Sequence, residues 1–108
     1  MAERRRSIHT GHRQRVKDEF SARGLAGWPD HRVLELLLYY AIPQGDVNGL
    51  AHELVERFGS LAGVLDAAEE ELCRVPGVGQ HTAVLLKLIP AAGARYLQSR
   101  ADLGEPVR

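Results

Sequence analysis

Leu72-Cys73-Arg74-Val75-Pro76-Gly77-Val78-Gly79-Gln80-His81-Thr82-Ala83 is the stretch that decides the fold. It reads as the end of a short helix, a tight Gly-x-Gly turn and the start of a second helix. Gly77 and Gly79 lack a Cβ, so they are free to take positive φ and to let a ligand come close to the backbone. The turn opens a helix, where unpaired N–H groups and the helix dipole attract an anion. Val78, between the glycines, is expected to plug into the core and hold the turn rigid. Ala83 is small enough for close helix packing, and Leu72 and Val75 anchor the preceding helix.

Outward from this hairpin the chain reads as all-α. Val16 and Phe20, four apart, give one face to a helix from His12 to Arg23, which Gly24 ends in the left-handed conformation. Trp28-Pro29-Asp30 makes a turn, with Asp30 as N-cap. Val33, Leu34, Leu37, Leu38 and Ala41, widened by Leu36, form a stripe broad enough for the central, most buried helix, and Pro43 stops it. Asp46 or Asn48 caps the next helix, which buries Leu50, Ala51, Leu54, Val55 and Phe58 and ends at Gly59. Ser60 caps a short helix through Leu61, Val64 and Leu65. Another short one begins at Asp66 or Ala68, with Glu69, Glu70 and Glu71 complementing its dipole. The helix after the hairpin shows Ala83, Leu85, Leu86, Leu88 and Ile89; Pro90 kinks it or separates it from a final helix through Leu97. No alternating stretch argues for a strand. The expected organisation is a flexible basic tail (1–9), a helical domain (10–100), and a tail or linker (101–108).

The 108 residues suffice for one domain, and 44% apolar content is that of a globular chain. The net charge of zero is a cancellation. Residues 1–17 carry +5, residues 18–72 carry −8 and residues 73–108 carry +3. No Asp or Glu lies between Glu71 and Asp102, whereas Arg74, Lys87, Arg95 and Arg100 do. This excludes a protein that grips nucleic acid or membrane over its whole surface, and leaves room for one basic face. The single cysteine, Cys73, allows neither an internal disulfide nor a zinc cluster and suits a reducing compartment. No run approaches the ~20 apolar residues needed to span a bilayer. Arg4-Arg5-Arg6 is not followed by an apolar stretch, so it does not read as a signal peptide. A soluble, cytoplasmic protein is expected.

The hairpin resembles the helix-hairpin-helix motif of DNA-binding proteins, matched at Leu72, Val75, Gly77, Val78, Gly79, Ala83 and Leu86. The resemblance implies that backbone N–H groups near Val78 and Gly79, in the Pro76–Gly79 turn, bind a DNA phosphate. Gln80, His81 and Thr82 would add hydrogen bonds, and Lys87 a charge. Such contacts carry no sequence readout and are strongly salt-dependent. Phe58-Gly59-Ser60-Leu61 with the hairpin gives a tandem helix-hairpin-helix layout. Gly11-His12-Arg13-Gln14-Arg15, Leu34 to Tyr40, Ala41-Ile42-Pro43 and Lys87-Leu88-Ile89-Pro90 add to it. Over residues 9–100 the chain resembles the N-terminal domain of the RadC (UPF0758-type) family of DNA repair proteins. In that frame Ile42 to Gly49 is a degenerate first hairpin, because Ala51 and Leu54 precede Ala83 and Leu86 by 32 residues. Gln44-Gly45-Asp46 offers no cation there, and Asp46 reads as a helix cap.

Family members generally continue into a JAB/MPN metalloprotease-like domain with a His-x-His zinc site. His9 and His12 have the wrong spacing for it, and Gly104 to Arg108 resembles a linker toward that absent domain. No enzyme, metal or cofactor is therefore expected. The partners implied are DNA through its backbone and no membrane. The alternative is a protein-interaction module that meets a JAB/MPN-type domain or a second copy. His9 and His12 with Arg13 and Arg15 form either a second phosphate patch or a solvated helix start. His31, His52 and His81 are too scattered for a ligand set. Trp28, Tyr39 and Tyr40 are expected to be buried rather than base-stacking, and Cys73 to be a small core residue.

Overall fold

The computed structural model describes the backbone of residues 2–104 and the side chains of residues 11–104. The expectations for the side chains of Arg4, Arg5, Arg6 and His9, and for the linker beyond Gly104, lie outside the described residues. Six helices follow in order: α1 (Ala2–Arg23), α2 (Asp30–Ala41), α3 (Asn48–Phe58), α4 (Leu61–Asp66), α5 (Glu69–Cys73) and α6 (Gln80–Asp102). There is no strand among the described residues, so the all-α reading holds. No described helix is long and apolar enough to cross a membrane.

Helix α2 lies at the centre, as its broad stripe requires, packed against α1, α3, α4 and α6. Leu34, Leu36, Leu38, Tyr39 and Ala41 are buried on it, and so is Glu35. Around it stand Val16 of α1, Ala51 and Leu54 of α3, Val64 of α4, Leu72 of α5, and Val75, Val78, Ala83 and Leu86 of the second hairpin. The punctuation follows the sequence. Gly24 and Gly59 are left-handed behind α1 and α3, α2 stops before Pro43, and the Ser60 hydroxyl accepts from the Gly63 N–H at 3.0 Å.

Several local expectations change. Helix α1 begins at Ala2 rather than His12; residues 2–7 hold no Gly or Pro and include Ala, Glu and three Arg, which are good helix formers. Asp30 is not the cap of α2. Pro29 takes the extended N-cap position, and the Asp30 carboxylate accepts from the Leu61 N–H at 2.8 Å, capping α4 instead. Phe20, Tyr40 and Leu88 are exposed, because helical spacing aligns side chains without fixing how far the neighbouring helices reach. Pro90 neither ends nor divides α6, which runs unbroken for 23 residues. At about 1.5 Å per residue that is a rod of ~34 Å. Residues 91–99 are all exposed, so the rod projects past the core.

Helix α1 is held to α2 by polar groups around one apolar knob, Val16. The Arg13 guanidinium donates to the carbonyls of Tyr39 (3.2 Å), Ile42 (2.7 Å) and Gly45 (2.8 Å) and lies over the Tyr39 ring at 4.6 Å. It satisfies carbonyls at the C-terminus of α2 that have no helical partner. Arg32 forks onto Glu19 through two bonds of 2.9 Å. That hydrogen bonding holds the Glu19 carboxyl below its usual range and raises the Arg32 guanidinium. His12 stands 3.9 Å from the buried Glu35, and the Lys17 ammonium covers the Tyr40 ring.

Two outcomes are expected from this seam. Arg13→Ala strips three carbonyls of a charged donor and should cost about 2 kcal/mol in urea unfolding; Arg13→Lys, lacking the fork, should recover only part of it. Burial, and then the nearby Glu35 carboxylate, push the Tyr39 hydroxyl up to about 12, and that hydroxyl makes no well-formed hydrogen bond among the described residues. The native state therefore retains this proton where an unfolded tyrosine, with its value near ~10, gives it up. The resulting stabilisation is complete below that value and is lost as pH rises through the native one. Tyr39→Phe should remove this alkaline slope while leaving stability at neutral pH unchanged or raised.

Candidate nucleic-acid interface

The two hairpins superpose in sequence at a spacing of 32. The structure repeats their turn glycine, first-turn bond and buried face, while the matched N-caps differ in backbone: Val47 has ψ 4° and Gly79 ψ −179°. Gly45 and Gly77 take φ of 91° and 97°, left-handed values that favour glycine. Ala51 and Ala83 donate to the carbonyls of Val47 and Gly79 at 2.9 and 3.0 Å, closing the first turn of α3 and of α6. Ala51, Leu54, Ala83 and Leu86 are all fully buried. The second turn is buttressed from the first unit, since Leu50 of α3 lies where a Cβ on Gly77 would meet it at 3.6 Å. Val78 fills the core as expected.

The units differ at the helix starts. In the first, the Asp46 carboxylate accepts from the Asn48 N–H at 2.8 Å, so the chain supplies its own anion to α3. Val47 holds the N-cap position without a side-chain cap bond, so Asp46 closes the helix start from one residue before the place expected of a cap. In the second, Gly79 is the N-cap and has no side chain to cap with. The N–H groups of Gly79, Gln80 and His81 meet no acceptor among the described residues. All three residues are exposed. Gly79 is extended (φ −94°, ψ −179°), not left-handed as expected, and a Cβ there would touch nothing. Its bare backbone is thus required by neither strain nor space within the chain.

Five of the sequence-predicted contacts are otherwise engaged. The Val78 N–H donates to Val75 at 3.0 Å, so the free donors begin one residue later than expected. The Gln80 amide donates to Glu69 at 2.6 Å and accepts weakly from the Cys73 thiol. Thr82 is buried. Lys87 donates to the Leu65 carbonyl at 2.9 Å, capping the end of α4. Arg13 closes α2, as described above. Gln80, Lys87 and Arg13 are held by groups distant in sequence, which local pattern does not reveal. Pro76, Gly77, Gly79 and His81 remain on the surface, and Arg15 is exposed on α1. The sequence reading passed over Arg74, which caps the end of α5 two residues before Pro76 and is exposed. Its signal was its place in the acid-free stretch.

Comparison with known proteins bears on the whole domain. The chain is 39% identical over 89 residues to a UPF0758 protein of Ruegeria pomeroyi, covering 82% of this chain and 40% of the relative. It is 38% identical over 79 residues to one of Fusobacterium nucleatum (73% and 34%), and 39% identical over 92 residues to one of Rhodobacter capsulatus (85% and 42%). Over that stretch the chain belongs to the UPF0758 family. It spans between about a third and two-fifths of the length of these curated relatives. No family model and no solved structure matches it.

Other candidate groups in this UPF0758 chain fall into place. His31 and His52, scattered in sequence, stack across α2 and α3 with ring centroids 4.0 Å apart. No cluster of three or more His, Cys, Asp or Glu able to hold a metal occurs among the described residues. Cys73 is half-buried against the core. Trp28 is half-buried under the Arg32 guanidinium, Tyr39 is buried, and Tyr40 is exposed, against expectation.

The two turn glycines should separate cleanly on substitution. Gly77→Ala forces a side chain into the left-handed region and should cost about 1–2 kcal/mol in chemical unfolding. Gly79→Ala, with ordinary backbone angles and open space, should stay within about 0.5 kcal/mol of the parent. Equal losses would contradict the geometry of the turn.

Proposed function

We propose that this domain is a non-catalytic, RadC-type module that binds DNA without sequence specificity, acts in the cytoplasm in DNA repair or recombination, and holds a backbone phosphate at the start of α6. One observation carries the reading. At matched positions of two like hairpins, the Asn48 N–H is occupied by a carboxylate oxygen of the chain itself, whereas the Gln80 N–H is open. The carboxylate at the start of α3 supports the reading, since an oxyanion is favoured by the N–H groups and dipole at a helix start. The rigid setting of the turn, through Val78 and Leu50, favours an anion fixed in place. Arg74 and His81 stand beside it as exposed side chains able to meet a neighbouring phosphate.

Backbone binding of this kind predicts affinity for duplex and branched DNA that falls linearly in log–log plots against salt, by ~0.9 per phosphate held. Gly79→Asp tests the site directly. An aspartate is a better N-cap than glycine by a few tenths of a kcal/mol, so the variant should fold at least as stably. Its carboxylate should then cover the helix start from the N-cap position, one residue beyond the place matched to Asp46, and abolish binding in fluorescence anisotropy. Absence of binding at low salt, or binding unaffected by Gly79→Asp, would sink the proposal.

A further inference from the structure

Helix α6 is continuous through Pro90, and residues 91–99 are exposed without interruption. Apolar surface collects on this helix. Of the eight large apolar side chains exposed among the described residues, five (Val84, Leu88, Tyr96, Leu97 and Leu103) lie on α6 or at its C-cap. Beyond the core, Ala92, Tyr96, Ser99 and Leu103 follow at steps of four, three and four, which places them on one face, the spacing of a coiled-coil seam. Arg95 and Asp102 each precede a large seam residue by one, so both edge the same side of the seam, seven residues apart. Both are exposed, and Asp102 accepts from the Gln98 amide through one carboxylate oxygen at 2.8 Å. Arg100 edges the opposite side, half-buried, with its guanidinium 6.0 Å from the centre of the Tyr96 ring.

We infer that this seam docks a second copy of the chain, as an antiparallel helix pair about a two-fold axis. Charge complementarity selects both the occupant and its direction. With the axis between Leu97 and Gln98, each large seam residue meets a small one: Tyr96 faces Ser99 of the second copy, and Leu103 faces Ala92. Antiparallel helices bring like edges together, so Arg95 comes opposite the second copy's Asp102, and the symmetry makes this pair twice. Arg100 comes opposite Gly93, where no charge opposes it. A parallel pair would instead set Arg95 against the second copy's Arg100, two like charges. The antiparallel pair also keeps the two cores apart, since each Leu103 reaches only as far as Ala92. The overlap from Ala92 to Leu103 is about 17 Å long, less than the ~800 Å² per partner of a standard interface requires. Association is therefore weak, reversible and in the high-micromolar range, and it stands independently of DNA binding at the hairpin.

Sedimentation equilibrium at low salt, from roughly 10 μM to roughly 1 mM, tests this seam around its expected affinity. The parent should show a monomer–dimer equilibrium. Arg95→Glu opposes two acids across the pair, and Asp102→Arg opposes two arginines. Each alone should weaken dimerisation by about tenfold. A mixture of the two variants pairs the introduced acid of one with the introduced arginine of the other, and the native Asp102 with the native Arg95. It should therefore associate about as strongly as the parent. Leu103→Ala should also weaken the dimer. Circular dichroism should show the helices retained throughout, since these exposed positions make no core contact. A strict monomer at the highest concentration overturns the docking. Stronger association in Arg95→Glu is the signature of a parallel pair and overturns the antiparallel one. A dimer that neither charge variant weakens, or a mixture no stronger than either variant alone, places the contact elsewhere and overturns the seam.

Discussion

The enclosure of α2 is the constraint on which the other elements depend. Its Leu34 and Leu38 are fully buried, each contributing about 1.5–3 kcal/mol relative to exposure, and four other helices pack around it. A helix so enclosed cannot leave its terminal carbonyls to solvent. Arg13 resolves this by reaching from α1 to Tyr39, Ile42 and the Gly45 turn. The same side chain thus closes α2, steadies the first hairpin and fixes the long N-terminal helix. An arginine that looks like a DNA contact in sequence is structural because of what α2 requires.

Two hairpins with matched turn glycines and buried faces have different helix starts, in backbone at Val47 and Gly79 and in electrostatics. Gly45 and Gly77, Ala51 and Ala83, Leu54 and Leu86 are interchangeable in backbone and burial. Asp46 then closes the first helix start, and the exposed, capless Gly79 leaves the second open. The first hairpin combines this packing with a closed helix start, and the second combines the same packing with an open one.

Much of this was legible in the residues. The stripe from Val33 to Ala41 marked the central helix, the 32-residue spacing marked the repeat, and Val78 between two glycines marked a turn pinned to the core. These are local or periodic signals. The illegible part consists of long-range pairings. Lys87 to the Leu65 carbonyl, Gln80 to Glu69 and Asp30 to the Leu61 N–H each join different elements. Identity alone does not say whether a lysine faces solvent or caps a neighbouring helix. The exposed half of α6 was equally hidden, because apolar spacing at Leu88 and Leu97 reads the same whether or not a partner lies across from it.

The most direct measurement of the central claim, an open anion site at the start of α6, is a backbone amide NMR titration with duplex DNA. Perturbation of the Gly79, Gln80 and His81 amides, with the Asn48 amide unmoved because Asp46 already holds it, is the expected result. Asn48 moving as far as Gln80, or shifts that spare residues 79–81 altogether, would contradict it.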